Sequence, residues 1–123
     1  MDNTSALNAF SALSQASRLE AFRLLVQAGE AGMLAGEIAD ALDARQNTMS
    51  SNLAILLGAG LVRNMREGRA IRYFANMDGL SGLLSFLLQD CCGGRPDLCD
   101  PLIAGLSGGC GTQITQNKDI SDD

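Results

Sequence analysis

Histidine is absent from all 123 residues. No imidazole can therefore serve as a general base or bind a metal, and any site for a soft ion must be built from thiols. Aromatic residues make up only 4% of a chain that is 46% hydrophobic. The core must consist of Leu, Ala, Ile and Met rather than rings, a composition that suits small helices. No apolar run approaches the roughly 18 residues needed to cross a bilayer, and Met1-Asp2-Asn3-Thr4 does not open a signal peptide. These absences predict a cytoplasmic protein with no membrane partner. Thiols stay reduced there, and clustered cysteines serve as ligands or redox centres more often than as bridges.

Basic charge is also scarce overall, with a net charge of −5. Its distribution matters more than its sum. Residues 44–75 hold Arg45, Arg63, Arg66, Arg69 and Arg72 against Glu67 alone, a local balance of +4 that leaves −9 for the rest. A compact basic segment on an acidic body can neutralise phosphates while the body limits non-specific binding.

Hydrophobic spacing outlines the elements. Ala6, Leu7, Phe10 and Leu13 recur at helical spacing over 5–13. A second helix follows, with Ser17 as N-cap, Glu20 three residues on, and Leu19, Phe22, Leu25 and Val26 as the inward stripe. Gly29 and Gly32 punctuate the link to a third helix, roughly 35–43, which turns Ile38 and Leu42 inward. In the fourth, Met49, Leu53, Leu56 and Leu57 form one buried face, and Gly58-Ala59-Gly60 ends it. Residues 61–65 and 70–74 read as strands of a hairpin whose link, Arg66-Glu67-Gly68-Arg69, carries a glycine turn signal. Asp78 caps a last helix over about 79–89, with Leu80, Leu83, Leu84, Leu87 and Leu88 along one side. That side is too apolar for the surface of a monomer of this size. The predicted organisation is one domain over 1–102 and a flexible, Gly-rich and polar tail over 103–123.

The fourth helix opens with short donors and acceptors: Gln46, Asn47, Thr48, Ser50, Ser51 and Asn52. A polar-fronted helix followed by a hairpin with a basic tip predicts a mainly α fold with a β-hairpin wing, a winged helix-turn-helix. The polar front would enter the major groove of double-stranded DNA, with Arg45 beside it. Arg66, Arg69 and Arg72 of the wing would lie along the backbone or minor groove. Spacing alone leaves a second reading open, in which 46–52 is merely a solvated helix face.

Beyond the last helix runs Asp90-Cys91-Cys92-Gly93-Gly94-Arg95-Pro96-Asp97-Leu98-Cys99. Three thiolates on a short Gly-rich stretch can close around an ion that wants three sulfurs, and suit an ion that wants four mixed ligands less well. A thiolate trap joined to a DNA reader is the outline of a sensor.

Several of these segments together resemble the ArsR family of bacterial metal- and metalloid-responsive repressors. The resemblance rests on Leu13-Ser14-Gln15-Ala16-Ser17-Arg18-Leu19 with Leu24-Leu25, and on Gln46-Asn47-Thr48-Met49-Ser50-Ser51-Asn52-Leu53. Gly58-Ala59-Gly60-Leu61-Val62, Arg66-Glu67-Gly68-Arg69 and Tyr73 complete it, over about residues 7–90. It implies a homodimer paired through the first and last helices, repression by operator binding, and release when an inducer binds. The chain departs from the family at three places. Asn52 stands where the family commonly has His, and residues 36–42 lack the Cys-x-Cys box of the best-known arsenic site. A His- and Asp-rich zinc site on the last helix is excluded by the absence of histidine. The family pattern that fits is a vicinal Cys pair after the last helix with a third Cys soon after, as in members that look like As(III) sensors.

The chemistry of Cys91, Cys92 and Cys99 agrees with that pattern. As(III) is soft and its lone pair occupies a fourth direction, so three sulfurs complete its site; Sb(III) should behave alike. Gly93-Gly94 allows the tight closure that brings Cys99 back. Asp90, Asp97, Asp100 and the negative end of the preceding helix favour protonated free thiols, whereas thiol-redox or sulfur sensors want an electropositive setting. Cd(II) or Zn(II) would want a fourth ligand, for which Cys110 or a carboxylate is available; otherwise Cys110 reads as a bystander in the tail. No anion-cradling loop with a nucleophilic Cys and following Arg is present, so no enzyme is expected. The sequence thus predicts a repressor of arsenic-resistance genes induced by As(III), with sensing of a soft divalent metal or a redox or sulfur signal as the alternative.

Overall fold

Small residues decide how the first helix packs. In the computed structural model, which describes residues 2–88, helix α1 spans Asn3–Leu13 and buries Ala6, Ala9 and Ala12. Leu7 and Phe10, which share the helical spacing, are 60% and 42% exposed. The Ser5 N–H donates to Asp2 Oδ1 at 2.8 Å, which caps the helix. That bond holds the Asp2 carboxyl below its ordinary value of 3.8. The cap is therefore complete above that pH and is lost as acid protonates the carboxylate below it.

Helix α2 spans Ala16–Ala28 and is capped by Gln15, not by Ser17: Gln15 Oε1 accepts from the Arg18 N–H at 2.9 Å. Its buried residues are Ala21, Phe22 and Leu25, while Leu19 and Val26 are exposed. At 100° per residue Leu19 and Val26 share one edge of the expected stripe. The helix is rolled away from that edge, toward Ala21, where the missing bulk lets neighbours close in.

The glycine link is more structured than its composition suggests. Gly29–Ala31 form a 3-10 turn and Met33–Leu34 a short strand, β1. The latter joins a three-stranded antiparallel sheet of order β1-β3-β2. Strands β2 (Val62–Glu67) and β3 (Ala70–Ala75) pair to the tip, with Glu67 opposite Ala70. The two-residue loop Gly68-Arg69 has Gly68 at φ 62°, as the first central position of a II′ hairpin requires.

Helices α3 (Ala35–Ala41) and α4 (Gln46–Gly58) meet across a tight turn in which Asp43 takes φ 52°. Leu25, Ile38, Met49, Leu53, Leu56 and Leu61 are fully buried where α2, α3 and α4 meet the sheet. Helix α5 (Met77–Leu87) begins earlier than expected, so Asp78 lies in its first turn instead of capping it. There the carboxylate still faces the positive end of the helix dipole.

The start of α5 is fixed against the end of α4 by backbone. Asn76 Nδ2 donates to the Gly60 carbonyl at 3.0 Å, and the Asn76 N–H donates to the Leu61 carbonyl at 2.8 Å. Gly79 sits so close to the Gly60 carbonyl that a Cβ there would collide with it. Because both partners are backbone, relief requires moving α5. Gly79→Ala is expected to cost about 1–3 kcal/mol, read as a lowered urea midpoint with an unchanged slope.

The described residues up to Phe86 form one compact unit, and residues 89–123 lie outside the described residues. The expected domain boundary at 102, the tail over 103–123, and Cys91, Cys92, Cys99 and Cys110 lie there too. Among the described residues no helix is long and apolar enough to cross a membrane.

Candidate nucleic-acid interface

Helix α4 separates its residues cleanly. Met49, Leu53 and Leu56 anchor it in the core, which leaves Gln46, Asn47, Thr48, Ser50 and Ser51 exposed along its outer face. Leu57 completes the stripe by spacing but is 38% exposed. Arg45 precedes the helix, is exposed, and provides no side-chain cap. Asn47 Oδ1 accepts from the Thr48 N–H at 2.9 Å. The other first-turn N–H groups have no carbonyl within the helix to bond, and such an end attracts phosphate.

Asn52 departs from the expected reading face. It is buried, and its Oδ1 accepts from Arg18 Nη1 at 3.5 Å. Six residues beyond Gln46 is 600°, or 240° around the helix, which turns Asn52 away from the side that Gln46 and Ser50 share. Sequence reasoning missed this pairing because Arg18 and Asn52 lie 34 positions apart and neither is apolar.

The wing comes close to the start of α4. A cleft of about 450 Å³ is lined by Gly36, Glu37, Gln46, Ser50, Arg69 and Tyr73, among others. Gln46 and Ser50 from the helix thus share one concave surface with Arg69 from the hairpin tip. Glu37 Oε1 accepts from the Leu34 N–H at 2.8 Å, which ties the cleft's carboxylate to backbone.

The wing arginines divide into free and committed groups. Arg69 is exposed and makes no side-chain hydrogen bond among the described residues, and Arg66 only reaches the Gly68 carbonyl at 3.4 Å. Arg72, expected to contact DNA, is a brace. Its Nε donates to Glu67 Oε2 at 2.7 Å and its Nη1 to the Ala31 carbonyl at 3.2 Å. The Glu67 hydrogen bond raises the Arg72 pKa further above its ordinary value. Arg72 therefore locks β3 to the end of β2 and to the 3-10 turn, and the wing presents Arg66 and Arg69. Arg63 stacks over the Phe74 ring at 5.2 Å.

Among the described residues no cluster of three His, Cys, Asp or Glu side chains could hold a metal. The surface has the parts of a duplex-reading one: a polar helix front flanked by a basic hairpin tip.

Comparison with known proteins agrees with this geometry. A model of a helix-turn-helix domain matches residues 13–64. An ArsR-like transcriptional regulator from Rhodococcus sp. RHA1 is 27% identical, with a TM-score of 0.63 over 84% of this chain and 92% of that one. The homodimeric winged helix-turn-helix DNA-binding domain of a possible ArsR-family transcriptional regulator from Mycobacterium bovis is 29% identical. Its TM-score is 0.58 over 71% of this chain and 81% of that one. Reduced HlyU from Vibrio cholerae, at 22% identity, shares the fold, with a TM-score of 0.56 over 72% and 90% of the two chains. No curated protein sequence matches.

The chain is thus a winged helix-turn-helix regulator rather than an enzyme. Its winged helix is similar to those of the ArsR-like regulators from Rhodococcus and Mycobacterium bovis.

Proposed function

We propose that the protein is a homodimeric repressor that binds operator DNA through α4 and the wing, and leaves it when Cys91, Cys92 and Cys99 take up As(III) or Sb(III). The observation that carries the DNA half is the shared cleft, where Gln46 and Ser50 of α4 meet Arg69 of the wing. Base edges in the major groove suit short amide and hydroxyl groups, and the adjoining phosphates suit a free guanidinium. The inducer half rests on the donor set. Three cysteines within nine residues of a chain without histidine suit an ion satisfied by three sulfurs. Bound there, the ion would replace thiol protons with covalent bonds to sulfur.

Operator binding measured with As(III), Sb(III), Cd(II), Zn(II) and peroxide added separately tests the inducer. Release by the trivalent ions alone supports the proposal, and release by Cd(II), Zn(II) or peroxide instead assigns the cysteines another signal. The reading surface has its own test. Ser50→Ala or Gln46→Ala should relax base preference by roughly 1–3 kcal/mol per lost contact. Arg69→Ala should weaken binding to all sequences alike and flatten the salt dependence by about one phosphate contact. Unchanged operator affinity in the Ser50→Ala/Arg69→Ala double variant would place the reading surface elsewhere.

A further inference from the structure

Arg18 stands at a junction of three helices. From the first turn of α2, its Nε donates to the Ala12 carbonyl in the last turn of α1 at 2.7 Å. Its Nη1 donates to Asn52 Oδ1, midway along α4, at 3.5 Å. Among the described residues no other side-chain hydrogen bond joins α4 to α1 or α2. The rest of that contact is apolar packing, which resists separation but has no preferred direction and so fixes rotation weakly.

The other end of the Asn52 amide makes this pairing unusual. Asn52 is 7% exposed, and its Nδ2 is fully buried without a hydrogen-bond partner among the described residues. Flipping the amide does not help, because Nδ2 would then meet the Arg18 donor and Oδ1 would lose its bond. A buried donor without an acceptor destabilises the fold. Leucine has the branching of asparagine, with two carbons in place of the amide oxygen and nitrogen, and although larger it suits the apolar surroundings of a position beside Leu53 and Leu56. Stability therefore argues against Asn52, and local rules are broken in this way mainly where function requires it.

We infer that Arg18 and Asn52 are positioning residues that set the rotation of the reading helix against the α1–α2 corner. The inference rests on the reading of α4 as the DNA-contacting helix. Turning α4 by even a few degrees moves Gln46 and Ser50 relative to the wing's Arg69, and a hydrogen bond at mid-helix is well placed to stop it. Because Arg18 also holds the end of α1, a change in how α1 sits reaches α4 through one guanidinium.

The test compares stability with operator affinity in the full-length protein, using a duplex that the wild-type protein selects from a random-sequence library. Asn52→Leu is expected to raise the melting temperature by about 4–8 °C. It should also weaken binding to the selected duplex at least fivefold while leaving binding to random duplex unchanged. Asn52→Asp keeps an acceptor for Arg18 and removes the stranded donor, so it should bind the selected duplex within threefold of wild type. A residue that only supports the fold would move stability and affinity in the same direction. The inference is overturned if Asn52→Leu binds the selected duplex like wild type, if it melts lower and loses affinity for both duplexes alike, or if Asn52→Asp is as weak as Asn52→Leu. Should Asn52→Leu not fold, Arg18→Met takes its place, with the same loss of selectivity expected at unchanged random-duplex binding. If the wild-type protein selects no duplex at all, the DNA-reading assignment of α4 fails, and this inference fails with it.

Discussion

Serine in place of Cys91, Cys92 or Cys99 is expected to give a protein that holds its operator as wild type does and no longer lets go when As(III) is added. The two halves of that result separate because all four cysteines lie beyond residue 88, whereas the proposed reading face consists of residues 45–51 and the wing tip. An alcohol cannot replace a thiolate toward a soft ion, so each variant loses one of three covalent bonds to sulfur. Release requires only that the inducer bind the DNA-free form more tightly than the DNA-bound form, by a coupling of about 1–3 kcal/mol, or 5–150-fold in operator affinity. Losing one bond is enough to erase a difference of that size. A variant can thus retain arsenite and still fail to release DNA, so binding and release should be measured separately. Fluorescence anisotropy of a labelled operator, titrated with As(III), gives the release curve. X-ray absorption on the wild-type complex should find three sulfur neighbours and no oxygen. Cys110→Ser should respond normally. A Cys99→Ser protein that releases DNA like wild type would reduce the site to Cys91 and Cys92.

Much of the fold could be read from the sequence because the core residues of α4 follow the helical period, and Gly68 marks the hairpin turn by the φ it must adopt. The misreadings share a cause. In α1 and α2 the buried face is set by Ala6, Ala9, Ala12 and Ala21, and alanine carries too little hydrophobic signal to compete with Leu7, Phe10, Leu19 and Val26. Close packing needs small side chains where elements touch, so the larger residues at the edges are left for solvent or a partner. Strand β1 was missed because two residues carry no period; it exists only because β3 provides its hydrogen bonds. The exposed polar front of α4 was legible as composition, a run of short polar residues without acid, but not in its exceptions. Asn52 and Arg72 are polar residues in the right stretch, and each is turned to another duty by a partner distant in sequence or across the hairpin: Arg18 for one, Glu67 and the Ala31 carbonyl for the other.

Those same large residues lead to the second major expectation: Leu84→Asp should convert the protein to monomers that bind operator poorly. Leu7 and Phe10 on α1 and Leu84 on α5 are exposed in the single chain, at 60%, 42% and 38%. Exposed apolar side chains on the two terminal helices of the winged domain fit a second copy of the chain, and the related Mycobacterium bovis domain is homodimeric. Leu83, its neighbour, is buried at 3% exposure and belongs to the core. An aspartate at 84 should therefore leave each subunit folded while placing a charge on both sides of a two-fold interface. A dimer presents two reading surfaces to half-sites about one helical turn apart, roughly 34 Å. A monomer keeps one, so the salt dependence of binding should fall to about half. Affinity should drop toward the non-specific range, on the order of 10³-fold below the dimer's. Sedimentation velocity at micromolar concentration checks the first half of the expectation and a salt titration of operator binding the second. Leu83→Asp provides the contrast, since a charge in the core should unfold the subunit instead of separating two intact ones. A wild-type protein that sediments as a monomer at that concentration would rule out the dimer and the paired half-sites with it.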